Sequence, residues 1–221
     1  MQVAIDGPAS AGKSTVAKIV AKKLSFIYID TGAMYRACTV IAKRHGLDYG
    51  DEVAILRAVR QDGIEFKTGD GEQKVYSAGE DISLEIRTPE ISAHVSQVSA
   101  LKSIREEMVE MQRKMSGEMN VIMDGRDIGT TVLPNAEVKI FLVASARSRA
   151  QRRLLDFKQR GIETTQTVDE IEADIAARDY KDSHRAISPL KKAADAIEID
   201  TTEMTIEQVV ERILSEIEKK L

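Results

Sequence analysis

The sequence predicts an α/β fold in which helices flank a parallel five-stranded sheet. Five short apolar runs have the length and composition of buried parallel strands, and helical patterns lie between most of them. The runs cover residues 3–5, 26–29, 121–123, 138–143 and 197–199. Strands that alternate with helices form a parallel sheet, and such sheets bind ligands at the carboxyl ends of their strands. We therefore expect functional residues directly after these runs.

The first predicted strand is followed at once by a glycine-rich segment. Residues 7–14, Gly-Pro-Ala-Ser-Ala-Gly-Lys-Ser, contain two glycines separated by four positions and then Lys-Ser, and a helical pattern follows. In this context the backbone N–H groups bind the β-phosphate of a nucleoside triphosphate, Lys13 contacts the β and γ oxygens, and the Ser14 hydroxyl can hold Mg²⁺. The alternative is a glycine-rich turn that fits the pattern by chance. The positions assigned to the nucleotide are Gly7, Pro8, Ala9, Ser10, Ala11, Gly12, Lys13, Ser14 and Thr15.

The second predicted strand leads into Asp30-Thr31-Gly32-Ala33-Met34-Tyr35-Arg36. The Asp-Thr pair is typical of a helix start, and an anion near Thr31 would meet the N–H dipoles of that helix. The Arg36 guanidinium would reach the same anion if the backbone bends suitably. The alternative is that Asp30 or Thr31 only caps the helix.

The pattern changes between residues 63 and 86. Short alternating segments at 64–67, 74–76 and 81–83 are separated by residues typical of turns, namely Gly69, Asp70, Gly71 and Gly79. This pattern predicts a small antiparallel insertion in the α/β fold.

The third predicted strand leads into Asp124-Gly125-Arg126-Asp127-Ile128-Gly129-Thr130. An acidic residue that ends an apolar strand beside a phosphate loop suggests that Asp124 helps to hold hydrated Mg²⁺. The glycines on both sides allow Arg126 and Asp127 to approach a ligand closely. The alternative is that Arg126 and Asp127 pair with other parts of the fold.

Two charged segments follow the fourth strand. The first, residues 147–160, is predicted to form a helix that ends near Gly161. Its charged residues either act in the function or form a solvated face. The cations of this segment are Arg147, Arg149, Arg152, Arg153, Lys158 and Arg160. In the second, Arg178, Asp182 and Arg185 share one helical face, where two guanidiniums around one carboxylate could bridge phosphate and sugar. A surface ladder of ion pairs is the alternative.

Capping-box spacings predict where the last two helices begin. Thr167 precedes Glu170 by three residues, and Thr205 precedes Gln208 in the same way. The helix after Thr205 carries apolar residues on one face, as expected of a helix that packs on the sheet.

Composition limits the class of protein. A chain of 221 residues with 43% hydrophobic residues can bury one substantial core, and a net charge of −4 argues against a broad surface for nucleic acid or anionic membranes. The single cysteine, Cys38, excludes an intrachain disulfide and fits a reducing compartment, and we expect a packed thiol. No apolar stretch is long enough to span a bilayer, and the first strand begins too early for a leader peptide. We expect a cytoplasmic protein, by default a monomer, with neither nucleic acid nor membrane as partner.

The motifs together make a specific resemblance. In this order, Gly-Pro-Ala-Ser-Ala-Gly-Lys-Ser-Thr, Asp-Thr-Gly-Ala-Met-Tyr-Arg, Asp-Gly-Arg-Asp-Ile-Gly-Thr and Arg-Asp-Tyr-Lys-Asp-Ser-His-Arg closely resemble bacterial cytidylate kinases, over nearly the whole chain. The resemblance implies a P-loop NTPase-type sheet in a single domain, residues 1–221, that phosphorylates CMP and dCMP with Mg·ATP in pyrimidine nucleotide metabolism. It implies a nucleoside-monophosphate-binding insertion at about residues 60–110 and a helical lid at about 147–165. Ser10 stands where many members of the family have glycine.

The resemblance also implies a role for each site residue. Ser96, Arg105 and Asp127 would read the cytosine edge, and Arg178 and Asp182 would face the sugar. Arg36, Arg126 and Arg185 would hold the acceptor phosphate. Thr31 and Asp124 would also bind the substrate. Lys13, Arg126 and Arg153 would be catalytic, and Arg149 and Arg153 would close over ATP with the lid. Cytosine offers an amine to a carboxylate or hydroxyl, and acceptors to a guanidinium.

One spacing conflicts with a continuous helix. Ser96 and Arg105 lie nine residues apart in the sequence and would face opposite sides of a single helix. They can share a pocket only if the helix is interrupted, so we predict a break or sharp bend between Gln97 and Ser103, with Ser99 or Ser103 as the cap of a new segment.

Three other functions share the phosphate loop. A GTP-dependent switch would need a guanine-reading Asn-Lys-x-Asp stretch, which the sequence does not contain. A pure nucleotide-binding or assembly module would have no acceptor. A kinase for another small molecule is the nearest alternative within the kinase class.

Overall fold

The computed structural model describes residues 1–69, 72–117, 119–159 and 161–220. The strands are β1 (Gln2–Asp6), β2 (Ile27–Asp30), β3 (Glu65–Gly69), β4 (Glu72–Ser77), β5 (Glu80–Asp81), β6 (Val121–Gly125), β7 (Val138–Val143) and β8 (Ile197–Asp200). The helices are α1 (Lys13–Leu24), α2 (Thr31–Arg44), α3 (Glu52–Asp62), α4 (Pro89–Ala100), α5 (Lys102–Ser116), α6 (Ala146–Gln159), α7 (Val168–His184) and α8 (Ile206–Glu218).

The main sheet has five strands in the order β2-β6-β1-β7-β8. The central strand β1 pairs in parallel with β6 and with β7, and β7 pairs in parallel with β8. Each strand overlaps one of the five predicted runs, with ends that differ by at most two residues. The predicted α/β fold with a parallel five-stranded sheet is confirmed.

The described residues divide into two compact units. The first contains Met1–Ile29 and the chain from Ser116 onward, and the second contains Asp30–Met115. In the first unit α1 and α8 pack their apolar faces on the sheet, with Val20, Ile140 and Ile213 among the buried residues.

The second unit has its own apolar core, built by α2 to α5 and β4. Ile41, Ile55 and Met108 are fully buried there. Cys38 lies in the same core, where its Sγ donates to Met108 Sδ at 3.6 Å, and burial raises the pKa of the thiol to about 12. The predicted packed thiol is confirmed.

The predicted insertion is a three-stranded antiparallel sheet in the order β3-β4-β5. Phe66 pairs with Val75, and Tyr76 pairs with Asp81. The third predicted segment, 81–83, is wrong at its end because β5 stops at Asp81: the Asp81 carboxylate accepts from the Ser83 N–H and turns the chain there. The predicted turn residues Asp70 and Gly71 lie outside the described residues.

The predicted interruption between Gln97 and Ser103 is confirmed. Leu101, with φ −67° and ψ 130°, separates α4 from α5. The proposed serine cap is wrong for both candidates. Ser103 is already inside α5, which begins at Lys102, and the Ser99 hydroxyl donates back to the Ser96 carbonyl within α4. Both predicted capping boxes, at Thr167 and Thr205, are present.

Among the described residues, none of the helices combines the length and the apolar character that crossing a membrane requires.

Candidate active site

The phosphate loop joins β1 to α1, as predicted. Gly7 (φ 148°) and Gly12 (φ 87°) have backbone angles that favour glycine, and a Cβ on Gly7 would lie 2.2 Å from the Leu142 carbonyl oxygen. A side chain at position 7 is therefore excluded. Ser10 also has a positive φ, 59°, in a conformation that costs an L-residue about 1–2 kcal/mol. The serine is thus accommodated, but at a position whose backbone favours glycine.

Lys13 is the first residue of α1, and its ammonium group is buried. Its Nζ donates to the Pro8 carbonyl at 2.6 Å, across the loop. Burial and then the nearby charge of Arg126 lower the pKa of Lys13 to about 7, against the opposing charges of Asp124 and Asp6. Phosphate oxygens beside this amine would favour its charged form. The loop therefore holds a cation that an anionic ligand would stabilise.

Ser14 and Asp124 place a hydroxyl beside a carboxylate, at the start of α1 and near the end of β6. The Ser14 hydroxyl donates to Asp124 Oδ2 at 2.8 Å, and the Tyr28 hydroxyl donates to Asp124 Oδ1 at 2.7 Å. A hydroxyl and a carboxylate this close match the oxygen ligands that Mg²⁺ takes together with water. The residues present fit the predicted magnesium ion.

Arg126 and Asp127 follow β6 and pair with residues of the segment 178–185. Arg126 Nε donates to Asp182 Oδ2 at 3.1 Å, and Arg185 Nη2 donates to Asp127 Oδ1 at 3.3 Å. Asp182 is 4% exposed, so the alternative of a surface ladder is wrong. Two predicted motifs therefore meet in one cluster, with buried carboxylates and half-buried guanidiniums, which we call the arginine–aspartate cluster: Arg126, Asp127, Arg178, Asp182 and Arg185.

The cluster keeps Asp182 ionised. Burial by itself raises the pKa of this carboxyl, but the charges of Arg126, Arg178 and Arg185 outweigh burial and lower the pKa below its usual value. Several guanidiniums around one carboxylate leave excess positive charge, which suits an anionic ligand.

The second unit carries four of the predicted substrate residues. Arg36 donates through Nη1 to the Ile86 carbonyl at 3.1 Å and to Ser92 Oγ at 2.8 Å. Thr31 is buried in the first turn of α2. The capping alternative is correct for Asp30, whose side chain accepts from the Ala33 N–H at 2.9 Å.

Arg105 and Ser96 flank the junction between α4 and α5. Arg105 is 2% exposed, and its Nη1 donates to the Ser99 carbonyl at 3.0 Å, at the end of α4. Its guanidinium lies over the Tyr35 ring, 5.1 Å from the centroid. The break thus allows a residue of α5 to reach the last turn of α4, where Ser96 is half-buried.

The predicted lid arginines occupy α6. Arg149 is buried and donates to the Ala9 carbonyl at 3.0 Å and to Asp179 Oδ2 at 2.6 Å, so it contacts the phosphate loop directly. Arg153 lies over the Phe157 ring at 5.4 Å, and burial lowers its pKa. The solvated-face alternative fits Arg147, which pairs at the surface with Asp169 and Glu172. Arg160 lies outside the described residues.

The sequence analysis missed three residues that support the site. Tyr28 binds Asp124, Asp179 Oδ1 accepts from the Ala9 N–H at 3.3 Å, and both oxygens of Asp6 accept backbone N–H groups after Asp127. Asp6 offered one signal: a charged residue that ends an otherwise apolar strand, directly before the phosphate loop. The side chains of Tyr28 and Asp179 carried no comparable signal.

Comparison with known proteins places this geometry in a family. The cytidylate kinase family model matches residues 3–219. The chain belongs to the cytidylate kinase family. A cytidylate kinase of Lactobacillus gasseri is 70% identical over 220 residues, which cover 100% of this chain and 95% of the relative, and one of Lactobacillus johnsonii is 68% identical with the same coverage. A solved structure of a Eubacterium ventriosum protein, 12% identical, superposes with a TM-score of 0.52 over 99% of this chain and 98% of the other, and supports the fold alone.

Proposed function

We propose that this protein transfers the γ-phosphoryl group of ATP to the 5′-phosphate of CMP or dCMP, with CDP or dCDP and ADP as products. The observation that carries the proposal is the arginine–aspartate cluster, which lies in the same unit as an intact phosphate loop of a cytidylate kinase family chain. A nucleotide hydrolase or a switch also needs the phosphate loop, but neither needs a second site for a phosphate group. An arginine-rich cluster suits such a second phosphate.

The donor is held by the phosphate loop. The backbone N–H groups of residues 10–14 bind the β-phosphate, and Lys13 contacts the β and γ oxygens. Ser14 and Asp124 would hold Mg²⁺, which when bound neutralises charge on the β- and γ-phosphates. Arg149 and Arg153 contact ATP from α6, and their closure with the segment 147–165 excludes water from the reaction. The contact of Arg149 with the loop supports this assignment.

The acceptor needs positioning more than activation. Near neutral pH a nucleoside monophosphate already carries an anionic oxygen nucleophile, so no general base is required. Arg36, Arg126 and Arg185 hold its phosphate, and Arg126 bridges the transferred group. Positive charge around two phosphates that repel each other lowers the barrier electrostatically.

The rest of CMP is bound by polar side chains. Arg178 and Asp182 face the sugar, and Ser96, Arg105 and Asp127 read the cytosine edge, with Thr31 beside the acceptor. A carboxylate accepts from the cytosine amine, whereas uracil presents a carbonyl at that place. The ionised state of Asp182 supports an acceptor role toward sugar hydroxyls.

The proposal is tested by ADP release with Mg·ATP and CMP, dCMP, UMP, AMP, GMP or no acceptor. We expect turnover with CMP and dCMP well above that with the others, and lower CMP turnover in Arg105→Met and Asp127→Asn. Equal rates without an acceptor, or a preference for another monophosphate, would overturn the proposal. Omission of Mg²⁺ and addition of a chelator should abolish turnover.

Four further expectations stay predictions. They are the roles of the insertion at about 60–110 and of the lid at about 147–165, the monomeric state, and the cytoplasmic location. Size-exclusion chromatography with light scattering measures the molar mass in solution and so tests the expected monomeric state directly.

A further inference from the structure

Asp6 is a buried carboxylate that the proposed reaction leaves without a role. It ends β1 and is 4% exposed. Its Oδ1 accepts from the Ile128 N–H at 2.8 Å, and its Oδ2 accepts from the Gly129 N–H at 2.7 Å. Both oxygens therefore hold the start of the π-helical turn Ile128–Val132, which directly follows Asp127.

The same turn is fixed from its other side. The Asp127 carbonyl accepts from the N–H groups of Thr131 and Val132, at 2.9 Å and 3.2 Å. The Asp127 carbonyl thus has partners within the turn, and Asp6 accepts from the N–H groups of the two residues that follow Asp127. The backbone that carries Arg126 and Asp127 is attached to the end of β1.

Steric constraints make this attachment close. A Cβ on Gly129 would lie 3.1 Å from Lys139 Cδ and 3.4 Å from Asp6 Oδ2, so the turn lies against β1 and β7 with little room. Asp6 is also bonded to Gly7, the first residue of the phosphate loop, which lies tightly against the Leu142 carbonyl. A single residue therefore joins the donor loop to the turn that carries the predicted acceptor residues.

The two hydrogen bonds need a carboxylate. An amide of the same shape has one acceptor oxygen, and its NH₂ group would face an N–H donor. Burial raises the pKa of Asp6 to about 6, against the backbone hydrogen bonds that lower it, so a charge is kept here in a place unfavourable to charge. Because a buried charge costs desolvation free energy, stability alone does not account for a carboxylate at this position.

We propose that Asp6 is a positioning residue for the acceptor, which acts by fixing the turn that presents Arg126 and Asp127. The inference rests on the proposed roles of those two residues. It adds to them a dependence on a side chain that contacts neither nucleotide.

The test is the steady-state kinetics of Asp6→Asn with CMP as the varied substrate. We expect the KM for CMP to rise and kcat/KM to fall by about 10- to 100-fold. The substitution removes one hydrogen bond to the turn and sets an NH₂ group against an N–H donor, so the turn shifts and the contacts of Arg126 and Asp127 with CMP are misplaced. A purely structural role would reduce the fraction of folded enzyme and lower kcat, without a change in KM. An unchanged KM for CMP would overturn the proposal.

Glu216→Gln is the matched control. Glu216 is a buried carboxylate of the same unit that lies on α8, and it pairs with Arg212 of that helix and with Lys219 just after it. We expect this variant to keep the wild-type KM for CMP. If it raises the KM as much as Asp6→Asn does, loss of any buried carboxylate explains the effect and the proposal is overturned.

A second variant covers the case in which Asp6→Asn does not fold. Gly129→Ala keeps Asp6 and places a Cβ 3.1 Å from Lys139 Cδ, so one of the two must move by a few tenths of an ångström. The Lys139 side chain is buried, and its Nζ is held by the Pro134 carbonyl and by Asp195, so we expect the turn to move. We expect a raised KM for CMP here as well, and an unchanged value would overturn the proposal.

Asp127→Asn separates this inference from the proposed function. If Asp127→Asn raises the KM for CMP and Asp6→Asn does not, the inference fails while the proposed role of Asp127 stands. If Asp127→Asn has no effect, the proposed role of Asp127 fails. The KM for CMP of Asp6→Asn then still decides the inference, because the same turn also presents Arg126. When both variants raise the KM, we expect the double variant to show less than the product of the two effects.

Discussion

Replacement of Lys13 by methionine is expected to stabilise the nucleotide-free protein and to abolish phosphoryl transfer. Lys13 is 5% exposed, and burial together with the charge of Arg126 lowers its pKa from 10.5 to about 7. At pH 7 this shift corresponds to about 4 kcal/mol of lost stability. Loss of the hydrogen bond to the Pro8 carbonyl offsets about 1 kcal/mol of the gain. The expected net gain is about 3 kcal/mol, or about 6 to 12 °C in Tm.

The sign of the pH dependence follows from the same shift. Between pH 7 and pH 10.5 the unfolded chain keeps the Lys13 proton and the folded protein has released it, so the wild-type free energy of unfolding rises with pH through this window. Methionine does not titrate. The advantage of the variant should therefore shrink to about 1 kcal/mol at pH 9.

Thermal unfolding of both proteins without nucleotide, at pH 7 and pH 9, measures this difference. Lys22→Met is the control, because it makes the same change at an exposed position of α1, and we expect its Tm to stay within about 2 °C of wild type. A Tm of Lys13→Met at or below the wild-type value at pH 7, or a gain that does not shrink at pH 9, would refute the reasoning.

Three further predictions concern other parts of the two units. Asp179→Asn should raise the KM for ATP by about 3- to 10-fold, because it weakens the contact that holds the Ala9 N–H; ATP titration in the ADP-release assay measures this. Arg105→Met should lower kcat/KM for CMP by at least about 10-fold and lower Tm, because the bond to the Ser99 carbonyl is lost as well; an unchanged value for CMP would contradict its role. Cys38 should react with a thiol reagent only as fast as the protein opens, because burial raises its pKa to about 12; rapid labelling of the folded protein would show that the thiol is accessible.

The sheet could be predicted because its information is local. Strands buried on both faces are continuous apolar runs, and the phosphate loop has a fixed spacing between one such run and a helix. The interruption at Leu101 was also predictable, since two residues expected in one pocket faced opposite sides of a continuous helix. Local spacing was enough for the sheet and for the phosphate loop, whereas the interruption also required the shared pocket that the resemblance implies for Ser96 and Arg105.

The environment of the charged residues could not be read in the same way. The spacing of Arg178, Asp182 and Arg185 is the same for a surface ladder and for a buried cluster, and only the fold places Asp182 beside Arg126. Asp6 and Ile128 are 122 residues apart in the sequence, and Arg149 and Ala9 are 140 apart. Contacts over such distances leave no periodic pattern in one sequence.

The central claim is that the γ-phosphoryl group of ATP moves to CMP, and its fate can be followed directly. The protein is incubated with Mg²⁺, ATP labelled at the γ-phosphorus and unlabelled CMP, and the nucleotides are then separated. We predict that the label appears in the β-phosphate of CDP, in step with formation of ADP. Label that appears only in inorganic phosphate, at a rate independent of CMP, would contradict the account.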